Sequence, residues 1–494
     1  MRKALFCCLV LALMTALSPI ANAEGAAMKD LPELKTPYKK NTENNPLYTQ
    51  RFGADPGVME YNGRLYVYMT NDTIERDAAG KVKENSYSLI KSINCISSDD
   101  LVNWTDHGEI PVAGPRGIAR WARNSWAPCA AHKTVDGREK FFLYFCDGGN
   151  GIGVLTADSP TGPWRDERGA LLIHRSVPNC ADVLWLFDPA VMVDDDGTGY
   201  LAFGGGVPEG RRADPVTARI VRLGADMISL DGAPVRLKVP FFFEDSGINR
   251  INGQYVYSYC SNWQTDGNSY RLTSGAIEYM TADDPLGPYT YRGELFPNQG
   301  RFFGLYGNNH HSIVSLDGVW YLFYHNRPVE KAMGITGNYR SPQLDRINIT
   351  ETGRLTQVTG TMKGVRQLKP LDPYSPVSAC TMANQAGIAV RGYGDTWAEG
   401  GTGSWIRVAQ ADFGAGADSV TVTAKAPTAC TLSFVLDAPD GPVAAQLTLE
   451  VPEGADPCAF TAPLRTEGVH DLYLVVDGDA SLLSWQAART GEEP

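Results

Sequence analysis

The sequence predicts an all-β protein: a five-bladed β-propeller over residues 45–370, followed by a β-sandwich over 375–494. Three observations predict it. A short motif, a polar residue and Gly followed by alternating aromatic and aliphatic residues, recurs five times between residues 60 and 327. Gly (51) and Pro (31) are both frequent, so turns are many and long helices few. After Tyr374 the composition shifts to Ala-, Thr-, Val- and Gly-rich runs.

Taken in order, residues 1–23 read as a signal peptide. Arg2 and Lys3 form a basic start, Leu5 to Leu17 is apolar, and Ala21-Asn22-Ala23 is a cleavage site. The expected location is therefore secreted or periplasmic, with cleavage after Ala23. Residues 24–44 form an N-terminal segment. No later stretch is apolar for 18 residues, so no membrane span is expected. The formal charge of −12 argues against a nucleic-acid or anionic-membrane partner, both of which favour a basic face. Cys7 and Cys8 lie inside the leader. The other eight cysteines are compatible with buried free thiols or with one or two disulfides, and Cys430 with Cys458 is the first pair to consider.

The five copies carry the propeller prediction. They begin at Asn62-Gly63, Asp136-Gly137, Asp196-Gly197, Asn252-Gly253 and Asp317-Gly318, with glycine spacings of 74, 60, 56 and 65 residues. Asn-Gly or Asp-Gly between strands favours a type I′ turn, whose two central residues need positive φ. A blade is four short strands in about 40–50 residues plus insertions. A second element recurs downstream, a polar turn ending on an aromatic. It reads Ser98-Asp99-Asp100-Leu101-Val102-Asn103-Trp104, then Asp158 to Trp164, then Asp283 to Tyr289, and suits an outer hairpin. Beyond the junction at Pro370-Leu371-Asp372-Pro373, runs such as Ser419-Val420-Thr421-Val422-Thr423 predict the strands of the sandwich.

Three acids stand in matched settings. Asp55 lies in Ala54-Asp55-Pro56, Asp188 in Trp185-Leu186-Phe187-Asp188-Pro189, and Glu244 in Phe241-Phe242-Phe243-Glu244-Asp245. Each shortly precedes a repeat copy, so the three are expected at similar blade positions facing one axis. Asp-Pro alone is only a turn; recurrence beside aromatics lifts these above it. An apolar setting raises a carboxyl pKa, which suits Glu244 as general acid. Asp55 could remain ionised as general base. Asp188 would raise the acid's pKa by like-charge repulsion and orient it. Two carboxyls flanking a glycosidic bond are the usual device for its hydrolysis.

On these motifs residues 45–370 resemble glycoside hydrolase family 43. Ala54-Asp55-Pro56 is similar to that family's base motif, Phe187-Asp188-Pro189-Ala190 to its pKa-modulator segment, and Phe243-Glu244-Asp245 to its general-acid segment. The family more often has Glu-Ala or Glu-Gly followed by Pro at the last of these. Ser125-Trp126-Ala127-Pro128 resembles a pocket-wall element. Trp126, Phe187, Arg340 and His310 are the implied substrate-binding residues, with a surface salt bridge as the alternative for Arg340. The segment Gly307-Asn308-Asn309-His310-His311 resembles one that sends a histidine to the propeller axis. The resemblance implies a structural calcium there through His310, with a hydrogen-bonded strand cap as the alternative. No cofactor is required for the reaction. An inverting mechanism is implied, with base and acid carboxyls about 6.5–9.5 Å apart.

The C-terminal region resembles carbohydrate-binding module family 6, on Gly403-Ser404-Trp405-Ile406-Arg407, Asp412-Phe413-Gly414 and Gly468-Val469-His470-Asp471-Leu472. Trp485 and Trp397 are the aromatics expected to stack on sugar; the alternative is a module that only packs against the propeller. The expected activity is release of α-L-arabinofuranosyl or β-D-xylosyl residues from arabinoxylan or its oligosaccharides. An endo-arabinanase on the same fold and a non-catalytic sugar-binding propeller are the competing readings.

Overall fold

A computed structural model describes residues 28–489 apart from Glu453. The leader read at residues 1–23 lies outside the described residues. The protein is all-β; the described residues contain two helices only, Gly300–Phe303 and Pro328–Ala332. Neither of these helices is long and apolar enough to cross a membrane.

Residues 54–347 form five antiparallel meanders. The first strands are Ala54–Tyr61, Trp126–Val135, Ala190–Val193, Phe242–Ile251 and His311–Leu316, each pairing with the strand that follows it. These first strands touch one another in sequence, and the fifth returns to the first, closing a ring. Close approach is built into that ring, because a Cβ on Gly57 would lie 2.0 Å from the Pro128 carbonyl oxygen.

The core is divided among five wedges between neighbouring sheets. Met59 and Tyr68 meet Phe141 and Leu155, Phe142 and Val154 meet Leu201 and Phe203, and Ala202 and Ile220 meet Ile248 and Tyr257. Val256 and Ile277 then meet Ile313 and Leu322, and Val314 and Phe323 meet Val67 and Ile96. Each middle strand therefore has both faces covered. That is why Phe141-Phe142-Leu143-Tyr144-Phe145 is buried throughout, its alternate residues serving two different wedges.

Four of the five Gly-containing turns have positive φ at both central residues: Asn62/Gly63, Asp136/Gly137, Asn252/Gly253 and Asp317/Gly318. The third differs from the expected type I′. Asp194 N–H bonds to the Thr198 carbonyl across a longer loop, and only Gly197 takes positive φ, at 81°. The run Asp194-Asp195-Asp196 supplies the extra residues.

Residues 377–488 form two further antiparallel sheets around one core, in which Phe434, Leu474, Val422 and Leu482 meet. One of these sheets joins the first meander through Tyr393 opposite Gly108, and Thr381-Met382 pairs with Trp104-Thr105. The N-terminal segment straps the two parts together. Leu31 and Leu34 pack on Trp405 and Tyr473, Trp405 Nε1 donates to the Lys35 carbonyl, and the buried Lys39 Nζ donates to the Pro46 carbonyl at 2.6 Å. All eight described cysteines are free thiols and seven are buried. Cys430 faces the C-terminal core from one sheet, whereas Cys458 is exposed on the other, which excludes the pairing considered above.

Candidate active site

One local device recurs at the mouth of the ring. The strand register shifts between Ala54 and Gly57, between Trp126 and Cys129, and between Glu244 and Gly247. The first residue inside each shift has positive φ: Asp55 (51°), Ala127 (36°) and Asp245 (64°). Asp188 (48°) stands likewise just before the third first strand. A bulge re-aims side chains, and left-handed backbone at a non-glycine residue stores strain characteristic of functional sites. Asp55 and Asp188 thus occupy equivalent positions as expected. Glu244 does not: it stands one residue earlier, at the position of Trp126, and the equivalent of Asp55 in the fourth sheet is Asp245.

Asp55, Trp126, Phe187, Asp188, Glu244, His310 and Arg340 all line one cavity of about 320 Å³. Thr70, Tyr87, Ile90, Ala127, Phe243, Trp263 and Asn308 complete it. Its walls are aromatic. Trp126 stands edge-on to Tyr87 at 6.2 Å, and Trp185 is edge-on to Phe187 at 5.3 Å and to Phe243 at 5.5 Å. Only the last of the three phenylalanines lines the cavity with Glu244. Phe242 packs in the core against Tyr259.

The carboxyls are held differently. Asp55 Oδ1 accepts from Arg340 Nη1 at 2.8 Å and Oδ2 from Thr70 Oγ1 at 2.7 Å. Burial alone would raise its pKa, but Arg340 and the nearby histidines overcome that and hold it well below the usual carboxylate range. Arg340 is no surface salt bridge. It is buried, with Nε and Nη2 forked onto Asp72 at 2.9 and 2.8 Å and Nη1 left for Asp55. Glu244 is pushed up to about 7, first by burial and then by the charges of Asp245 and Asp55; Asn308 and Arg340 pull the other way. Asp188 is itself pushed well above its ordinary value by burial and by Glu244, Asp55 and Asp245. The repulsion between Asp188 and Glu244 is mutual, so each carboxyl disfavours the charge of the other.

Two histidines organise the floor. His325 Nδ1 accepts the backbone N–H of Asp55 at 3.0 Å, so that nitrogen carries no proton, and Nε2–H donates to the Asn308 carbonyl at 2.9 Å. His310 sits among three carboxylates, with Nδ1 3.5 Å from Asp55 and 3.9 Å from Asp188, and Nε2 3.2 Å from Asp245. Below it lies a chamber of about 60 Å³ lined by all five first strands. A calcium ion takes six to eight oxygen ligands. Among the described residues no group of three or more His, Cys, Asp or Glu could hold a metal, and both His310 nitrogens face carboxylates.

Sequence reasoning missed Asp72, Tyr87, Asn308, His325 and Trp263, which reach the site from loops or second strands; only Asn308 lay in a quoted motif, and there the histidine alone was singled out. Asp245 was visible only as a departure from the family's usual residue. The C-terminal aromatics are not at this site. Trp485 is 1% exposed, inside the C-terminal core and edge-on to Phe434, so it cannot stack on a sugar. Trp397 is half-buried, and its Nε1 donates to Glu399.

An ionised carboxylate and a second carboxyl poised near neutrality, both lining one aromatic-walled cavity, define the equipment of a glycoside hydrolase. Residues 42–355 match the profile of glycosyl hydrolases family 43. The chain is 43% identical, over 98% of its length and 79% of the relative's, to an arabinoxylan arabinofuranohydrolase of Paenibacillus polymyxa. It is 42% identical, over 88% of its length and 89% of the relative's, to an arabinoxylan arabinofuranohydrolase of Bacillus subtilis. A crystal structure of a family 43 arabinoxylan arabinofuranohydrolase from Bacillus subtilis, in complex with cellotetraose, superposes with a TM-score of 0.89 at 41% identity, covering 92% of this chain and 99% of that one. The chain belongs to glycosyl hydrolase family 43.

Proposed function

We propose that this protein releases α-L-arabinofuranosyl residues from arabinoxylan or its oligosaccharides by a single inverting displacement. The observation that carries the reading is the contrast within one cavity between Asp55, ionised beside Arg340, and Glu244, pushed up to about 7. In this mechanism Asp55 takes a proton from a water as its oxygen attacks the anomeric carbon. Glu244 gives its proton to the departing glycosidic oxygen. Asp188, held by the Asp245 N–H, orients the acid's side of the site. The similarity to two arabinoxylan arabinofuranohydrolases supports the arabinose reading over β-D-xylosyl release and over endo-arabinanase action. Both carboxyls line the cavity, which counts against a purely sugar-binding role.

Exposed apolar side chains flank the cavity: Leu89, Leu184, Trp263 and Tyr306 adjoin lining segments and offer a platform for a polymer main chain. The ring of five meanders supports a five-bladed propeller, and the two facing C-terminal sheets support a β-sandwich. With Trp485 buried, the reading favoured for the C-terminal unit is a module that packs against the propeller. Export stays part of the proposal and rests on the leader sequence.

The test is incubation with p-nitrophenyl α-L-arabinofuranoside, p-nitrophenyl β-D-xyloside and arabinoxylan, with the first-formed sugar anomer read by proton NMR. Arabinose appearing first as the β-anomer is expected. Release of xylose alone, or of α-arabinose first, would overturn the reading.

A further inference from the structure

Asn308 lies between the two halves of the catalytic pair. Its Oδ1 accepts from Arg340 Nη1 at 3.1 Å, and its Nδ2 donates to Glu244 Oε1 at 3.0 Å. Arg340 has only donors, so the amide can be placed in one way: oxygen toward Arg340, NH₂ toward Glu244. Because the same Nη1 also donates to Asp55 Oδ1, a continuous chain of hydrogen bonds runs Asp55–Arg340–Asn308–Glu244. The backbone of Asn308 is fixed as well, since its carbonyl accepts from His325 Nε2.

This amide has a consequence for the acid. The carbonyl oxygen of a protonated carboxyl is the better acceptor, so the Asn308 N–H on Oε1 favours the tautomer with the Glu244 proton on Oε2. Among the described residues Oε2 has no hydrogen-bond partner, and Glu244 lines the cavity. We propose that Asn308 is a positioning residue that fixes which oxygen of Glu244 carries the transferable proton and turns it toward the glycosidic oxygen. The inference rests on Glu244 as the general acid.

The charged and titratable groups around Glu244 come from every neighbouring element: Asp55 from the first sheet, Tyr87 from the loop after its second strand, Asp188 from the third, Asp245 from its own strand, Cys260 from the strand paired with it, and His310 and Arg340 from the loops beside the fifth. Of these partners, Asn308 is the neutral one that donates directly to the carboxylate. A donor to the charged form favours that form, so its loss lets Glu244 hold its proton to higher pH.

The experiment compares wild type, Asn308→Ala and Asn308→Asp on p-nitrophenyl α-L-arabinofuranoside and on arabinoxylan across a pH series. p-Nitrophenolate leaves as a stable anion and needs little proton donation, whereas a sugar hydroxyl needs it fully. For Asn308→Ala, kcat on arabinoxylan is expected to fall about 10- to 100-fold, the scale of one hydrogen bond to a charged group. The loss on the p-nitrophenyl substrate is expected to be several times smaller, and the alkaline limb of kcat/KM to move to higher pH. Asn308→Asp keeps the shape while replacing the donor by an acceptor. It should show the same two signatures, and it reads the proposal if the alanine variant fails to fold. Equal losses on both substrates with an unmoved limb, or no loss on either, would overturn the proposal. Glu244→Gln is the control. If it lacks the same bias toward the activated substrate, the acid assignment fails rather than the role of Asn308.

Discussion

The backbone N–H of Asp245 donates to Oδ2 of Asp188 at 3.1 Å, so the residue following the acid in the fourth sheet holds the carboxyl of the third. The Asp245 side chain is fully buried, its Oδ2 2.5 Å from His311 Nδ1, and its charge raises Glu244 more than that of Asp55 does. Asn is its close isostere and tolerates positive φ. In Asp245→Asn the backbone contact to Asp188 survives and one negative charge disappears. The alkaline limb of kcat/KM should then shift to lower pH, opposite in sign to the shift expected for Asn308→Ala. A pH–rate profile with an unmoved limb would show that this charge does not tune the acid.

Wild-type activity should fall as pH rises through about 7, where Glu244 loses its proton, and should have no matching acid limb in the ordinary carboxylate range, because Asp55 stays ionised there. Glu244→Gln should remove the alkaline limb and lower kcat on arabinoxylan by about 10²- to 10⁴-fold. A steady-state profile for each enzyme checks this; a wild-type limb set by a group that survives the substitution would count against the assignment.

Arg340→Met would leave Asp55 and Asp72 buried without their shared cation. A cost of about 3–5 kcal/mol in stability is expected from breaking a buried pair. The pKa of Asp55 should rise, bringing an acid limb into view. Arg340→Lys should not restore activity, because a single ammonium cannot reproduce the fork onto Asp72 while reaching Asp55. Urea denaturation and a pH profile measure the two effects separately.

Gly57→Ala tests the ring itself. The added methyl would meet the Pro128 carbonyl at 2.0 Å, a backbone atom of the next first strand that cannot swing aside. A loss of roughly 1–3 kcal/mol or more is expected, read as a lower melting temperature. An unchanged melting temperature would mean that the first strands are not so closely apposed.

Lys39 gives a pH-dependent stability. Burial and nearby Arg407 lower its pKa to about 7. With the folded value below the unfolded one, its contribution is present above the unfolded pKa of about 10.4 and is lost as pH falls toward about 7. Melting temperatures should therefore drop over that window in wild type, and drop less in Lys39→Met. Parallel curves would place the ammonium in solvent.

Much of this was legible in the sequence, for a physical reason. Turn residues must satisfy φ, so Asn62-Gly63 and Asp317-Gly318 announced their hairpins, and strands covered on both faces left unbroken apolar runs such as Phe141 to Phe145. Asp55, Asp188 and Glu244 were readable because each sits at a strand start shortly before a repeat copy, Asp188 and Glu244 directly beside a phenylalanine. What was not readable depends on distance in space rather than in sequence. Asp72 acts only through Arg340, 268 residues away, and Asn308 acts only because Arg340 forces its amide one way round. The offset of Glu244 from Asp55 is a matter of strand register, which composition does not reveal. Trp485 looked like a sugar platform because burial cannot be read from one aromatic in an alternating strand.

The seven buried thiols have a use beyond packing. Cys95, Cys129, Cys146 and Cys260 lie in three of the five meanders, Cys180 lies in the wedge between the second and third, and Cys380 and Cys430 are in the C-terminal core. With no disulfide among the described residues, each becomes reactive to an alkylating reagent only when its own neighbourhood opens. The molecule thus carries a set of natural clocks. Timed alkylation read peptide by peptide would rank the sheets by how often they come apart, with Cys458, already exposed, as the zero-time standard.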